Sequence, residues 1–239
     1  MGICLSGRFR RARPLVGGFA AVVVLAGCFG ADAAKTPKEL EKSPLFSAGR
    51  ATPSVDLLQK VSVMAGTVDI AGPKGFCIDR TTLQDADSGA YVPLGACAAL
   101  SKNPADPSPA KPAFLAASVL PLPIEATGLP TDPAGRMAAA RAFLESDAGL
   151  AALSRSGEAS TVTLVEIKEA DDSLHILIKD TSAGLPDALS EATWRSFFEL
   201  KGMLVTASVT AFADQKLDRR SAFKILRAFV AAIRSANAG

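Results

Sequence analysis

The chain has 239 residues, 49% of them hydrophobic, with 26 Lys and Arg against 24 Asp and Glu. Four of the arginines fall within residues 1–13, which leaves 22 basic and 24 acidic residues in the rest of the chain. That near-neutral remainder has no basic stripe, which excludes a nucleic-acid binder, while its length permits one domain with a substantial core.

In chain order, residues 1–13 carry Arg8, Arg10, Arg11 and Arg13 and no acid, and residues 14–27, PLVGGFAAVVVLAG, carry no charge. A basic start, a short apolar run and small residues at its end predict a secretory signal peptide over residues 1–27. The run is shorter than the roughly 20 residues that a spanning helix needs. Gly17, Gly18 and Gly27 weaken a permanent helix further. The run ends in Leu25-Ala26-Gly27-Cys28, which resembles the bacterial lipobox: an aliphatic residue, two small residues, then Cys. The resemblance implies diacylation of the Cys28 thiol, cleavage before Cys28 and acylation of the new amino group. Each buried methylene contributes about 0.8 kcal/mol, so two or three chains hold firmly where one holds marginally.

Lipoprotein sorting in many Gram-negative bacteria retains a protein at the inner membrane when Asp follows the Cys. Here the residue is Phe29, so the resemblance favours the outer membrane, on its periplasmic face. Two alternatives stand beside this. Ala31, Ala33 and Ala34 offer ordinary signal peptidase cleavage, which gives a soluble secreted protein, and an uncleaved anchor is the other. Arg10-Arg11 resembles a twin-arginine signal, but Ala12-Arg13-Pro14 lacks the apolar pair expected after it.

Of the four cysteines, Cys4 leaves with the signal and Cys28 is acylated. Cys77 and Cys97 remain in an oxidising compartment, where two cysteines pair. Their spacing fits no metal motif, because there is no second Cys pair and only one His. Neither a metal nor a cofactor is expected. Residues 28–59 mix Ala, Lys, Pro and Ser and read as a tether, with a short helix near 37–42.

Residues 60–239 read as one domain. SVMAGTVDIAG predicts a first strand, PKG a turn, YVPLGACAAL a second strand and AFLAASVLPL a third, with the proline-rich 101–112 as a surface loop. Asp132 before Pro133 predicts a helix start, and Asp147 restarts a short helix. TVTLVEIKEA and LHILIKD form a hairpin through Asp171-Asp172-Ser173. TWRSFFEL and MLVTASVTAF form another through Lys201-Gly202. Asp218 caps the last helix, whose Phe223, Leu226, Val230 and Ile233 make an apolar stripe widened by Ala222, Ile225 and Phe229. The sum is an α+β domain, a mainly antiparallel sheet with packed helices. Its late strand pairs before a long final helix resemble the α/β/α sandwich of PsbP-like domains, in element order only. The GFCIDR and LGACAAL stretches resemble small uncharacterised bacterial envelope proteins, from which no activity carries over.

No catalytic set is visible. His175 sits in a strand beside Leu174 and Ile176 and reads as a half-buried strand residue sooner than a general base. Asp79, Asp85 and Asp87 read as a solvated loop sooner than paired acids or calcium ligands. Trp194 and Phe198 share one strand face, with Phe197 on the other. They either pack in the core or form a contact patch. Three functions remain. The first is a non-enzymatic binding or assembly module at the periplasmic membrane surface, anchored through its lipid and meeting an envelope protein. The second is a carrier or sensor of a small apolar ligand. The third is a hydrolase.

Overall fold

Two tight turns set the register of the larger half of the sheet. The computed structural model describes residues 57–122 and 128–239. The signal segment, Cys28 and most of the tether lie outside the described residues. Strand β8 (Val162–Ala170) turns into β9 (Ser173–Asp180) through Asp171 and Asp172, at φ 52° and 50°. Strand β10 (Leu189–Leu200) turns into β11 (Met203–Phe212) through Lys201 and Gly202, at φ 52° and 75°. Positive φ at both central residues matches the right-handed strand twist. Gly adopts it at no cost, and Asp tolerates it through its short polar side chain.

The remaining strands are β1 (Leu57–Leu58), β2 (Lys60–Val63), β3 (Val68–Ala71), β4 (Phe76–Asp79), β5 (Gln84–Ala86), β6 (Gly89–Ala96) and β7 (Phe114–Pro121). The helices are α1 (Cys97–Ser101), α2 (Pro133–Leu144), α3 (Asp147–Leu153) and α4 (Arg219–Ala236). The main sheet runs β1-β4-β6-β7-β11-β10-β9-β8, with β5 on β6, and its strand pairs are antiparallel. Helices pack on both faces, so the α+β expectation holds.

Side-chain alternation divides the sheet into two faces. On the first face, Leu94, Leu115, Ala117, Val119, Val205, Ala207 and Val209 meet Leu226, Phe229, Val230 and Ile233 of α4. Each large apolar side chain fully buried there contributes roughly 1.5–3 kcal/mol. Asp218 caps α4 by accepting from Ser221 N at 2.8 Å. Asn237, just past its end, donates to Asp69 O at 2.7 Å and accepts from Asp69 N at 3.0 Å, tying the helix to β3. On the second face, α2 and α3 cover the β8–β9 side through Leu144, Leu153, Val162, Leu174, Ile176 and Ile178 and reach β10 at Phe197 and Glu199. Asp132 and Ser146 cap these helices by accepting from Gly135 N at 2.7 Å and Gly149 N at 3.2 Å.

Three expectations change. SVMAGTVDIAG is a β2–β3 hairpin, not one strand, because Met64, Ala65 and Gly66 all take positive φ. Such a turn is costly for Met and Ala. It is held because Met64 is buried and its N–H donates to Asp85 Oδ1 at 3.0 Å. YVPLGACAAL leaves the sheet at Ala96 and becomes α1, where Cys97 is bonded to Cys77 of β4. The sheet also begins before residue 60, because Leu57 and Leu58 pair with Asp79 and Ile78.

Candidate functional site

Among the described residues, no helix packs over the middle of the second face of the four central strands β6, β7, β11 and β10, whose side chains there are mostly half-buried. Cross-strand register places Tyr91, Ser118, Thr206 and Phe197 in one row, and Pro93, Ala116, Ser208 and Arg195 in the next. Ser118, Thr206 and Ser208 are partly exposed, and the Ser208 hydroxyl donates to Ala116 O at 3.1 Å. Tyr91 and Leu120, at the edge of this strip, are 37% and 46% exposed. These are exposed apolar groups on an otherwise ordered sheet, the kind of surface that marks a contact region.

A cleft lies at each end of the strip. At the β8–β9 turn, Met137 and Ala140 of α2 face Leu174, Phe197 and Leu204 across a volume of about 770 Å³. Its side is fixed by Arg136, whose Nε and Nη2 donate to Glu199 at 2.5 and 2.8 Å. At the other end, Leu100, Pro109 and Phe114 join Pro93, Gly95 and Phe212 around about 900 Å³. Its lining is mostly apolar, with Asp79, Asp187 and Asp214 as its acids. Both are within the size range of small-molecule sites.

Beside the strip sits a cluster of charges. Asp180 is buried and accepts from Arg155 N and the Arg155 guanidinium at 3.0 Å each, and from Ser182 N and Oγ at 2.9 and 2.5 Å. Burial opposes the charge on Asp180. The Ser182 and Arg155 donors outweigh it and hold the carboxyl below its usual range. Arg195, next to this pair, makes no hydrogen bond or ion pair with any described residue. Burial pushes its guanidinium down, Asp180 opposes this and Arg155 reinforces it. Arg195 escaped the sequence reading, although a charge inside TWRSFF on the same face as Phe197 was the signal available.

The residues singled out from sequence fall elsewhere. Cys77 and Cys97 form the expected disulfide, buried between β4 and α1. Trp194 and Phe198 do share a face, but each is only 2% exposed. They belong to the core beneath α4, so they form no contact patch. His175 is 1% exposed rather than half-buried. Its ring meets Phe223 edge-on at 5.3 Å, and Phe223 lies 4.7 Å from Trp194. Burial keeps its pKa below 6.5, with Arg227 and Arg234 reinforcing this and Ala170 and Asp171 opposing it. Asp79 caps a short 3₁₀ turn by accepting from Thr81 N at 2.8 Å, and Asp85 holds Met64, so both acids have structural work. Two arginines of α4 are also engaged. Arg227 bridges Asp171 at 2.7 Å, and Arg234 donates to Asp172 O at 3.0 Å. Among the described residues, no group of three or more His, Cys, Asp or Glu is placed to hold a metal ion, and no helix is long and apolar enough to cross a membrane.

No family model matches the chain, and no curated protein matches it. Among solved structures, the extracellular domain of PknH from Mycobacterium tuberculosis is similar over 65% of this chain and 67% of that one, at 9% identity and a TM-score of 0.28. A likeness of that size transfers neither fold nor site residues.

Proposed function

We propose that this chain is a lipid-anchored, non-enzymatic binding module of the bacterial cell envelope, held by Cys28 and working through the second face of its sheet. The observation that carries the reading is the half-buried strip between two clefts, which no described helix covers, with Tyr91 and Leu120 exposed at its edge. The described chemistry of the buried acids and of His175 is structural, which leaves the open face as the part able to meet something else. The partner is an envelope protein, and the anchor restricts the search for it to the periplasmic surface of a membrane, the outer one by the residue after Cys28.

A second reading, a carrier of a small apolar ligand, is favoured by one specific observation: the apolar cleft of about 900 Å³ floored by Pro93, Phe114 and Phe212. Intact and native mass measurements on membrane-extracted protein test both. A chain beginning at Cys28 with acyl groups, carrying a protein partner, supports the first reading. A small co-purifying apolar mass supports the second. A soluble, unacylated chain beginning near residue 34 and carrying nothing contradicts the anchored module.

A further inference from the structure

Two guanidinium groups feel the Asp180 carboxylate, and only one of them, Arg155, is bonded to it. Arg155 and Ser182 already use both oxygens of Asp180, while Arg195 has no partner among the described residues. The cluster therefore holds one excess positive charge in a half-buried place, where an unneutralised charge is costly and an incoming anion is favoured. We propose that Arg195 receives the acidic head group of a long-chain amphiphile whose apolar body lies in the cleft floored by Pro93, Phe114 and Phe212. This deepens the carrier reading and rests on it.

The geometry supplies both halves of such a ligand. Arg195 pairs in register with Ser208, and Phe212 lies four residues further along the same strand, about 13 Å away. Between them, the Thr193 and Thr210 hydroxyls are 3.0 Å apart and offer polar contacts next to the head group. Orientation follows from charge. Asp79, Asp187 and Asp214 line the cleft and repel an anion from it, so the acidic head turns toward Arg195 and the chain toward Phe114. A carboxylate or a phosphate monoester fits a guanidinium fork equally well. The shared chemistry is an oxyanion on a long apolar chain.

The test uses the full chain carrying Cys28→Ser, so that no acyl anchor of its own competes. Displacement of the fluorescent fatty acid cis-parinarate is followed with oleate, with oleyl alcohol and with inorganic phosphate. The expected result is that oleate displaces the probe at about ten-fold lower concentration than the alcohol, the scale of one charged hydrogen bond. Arg195→Gln then removes that difference by weakening oleate alone, Arg195→Lys keeps most of it, and Phe114→Ser weakens both ligands. Phosphate weakens oleate and leaves the alcohol unchanged. Equal affinity for acid and alcohol, or an oleate constant unmoved by Arg195→Gln, overturns the role of Arg195 while the carrier reading stands. A folded protein that binds no cis-parinarate overturns both. If Arg195→Gln does not fold, the acid-to-alcohol ratio of the unsubstituted chain in low and high salt decides: a ratio that salt leaves unchanged overturns the proposal.

Discussion

The two faces of the sheet use the same alternating backbone and reach opposite ends. On β11, Val205, Ala207 and Val209 point into a core sealed by α4, while Leu204, Thr206, Ser208 and Thr210 point to the second face. One face is assigned to stability by aliphatic residues packed under an amphipathic helix. The other carries hydroxyls and an arginine without a partner among the described residues, where a helix would need apolar partners. Composition at alternate positions therefore determines which half of a sheet is closed, and it locates the open half without reference to any catalytic group.

The contrast is sharpest under mutation. Phe229→Ala on the first face removes a fully buried ring and is expected to cost about 3–5 kcal/mol in denaturant unfolding. Thr206→Ala on the second face should stay within about 0.5 kcal/mol of zero. Comparable losses at the two positions would show that the second face is also core. Next in size is the disulfide, which closes a 20-residue separation between β4 and α1. Replacing Cys77 and Cys97 together by Ser should lower stability by about 3 kcal/mol, with the unfolding midpoint as the readout.

A smaller effect depends on pH. The folded-state pKa of His175 is lowered by burial, so below about pH 6.5 the unfolded chain binds a proton that the folded one resists. Stability should fall as pH drops from that point, well before the paired carboxylates Asp69, Asp180 and Asp218 begin to protonate below about pH 4. Lys168, Asp171, Arg227 and Arg234 are the charged groups around the ring, and His175→Gln should flatten the upper part of the profile while leaving the acid limb. An unchanged profile would contradict the buried, neutral ring. The smallest effect is a gain. Ser196 Oγ is buried beneath α4 with no hydrogen-bond partner among the described residues, so Ser196→Ala should stabilise the fold by about 1 kcal/mol.

Much of this architecture is written locally. Asp171-Asp172 and Lys201-Gly202 announce their turns, and Asp132 and Asp218 announce their helices, because each satisfies backbone groups within a few residues. The β2–β3 turn is different. Met64 and Ala65 have no preference for positive φ, and only the distant Asp85 and the surrounding core hold them there. The same holds for α1, whose Ala-rich start reads as a strand until Cys97 is fixed to β4. At the site, Trp194 and Phe198 drew attention as aromatics and proved to be core, since alternation shows which residues share a face but not which face α4 covers. Arg195 was equally visible, but its meaning depends on Asp180 being claimed by Arg155, and that pairing spans 25 residues of sequence.

A working second face is tested most directly by photo-crosslinking in intact cells, with the reactive residue placed at Thr206 on the open strip or at Lys224 on α4. Adducts are expected from Thr206 and not from Lys224, with their loss from the membrane fraction when Cys28 is replaced by Ser. Adducts from Lys224 alone would contradict it, because the working surface would then be the helix that seals the core.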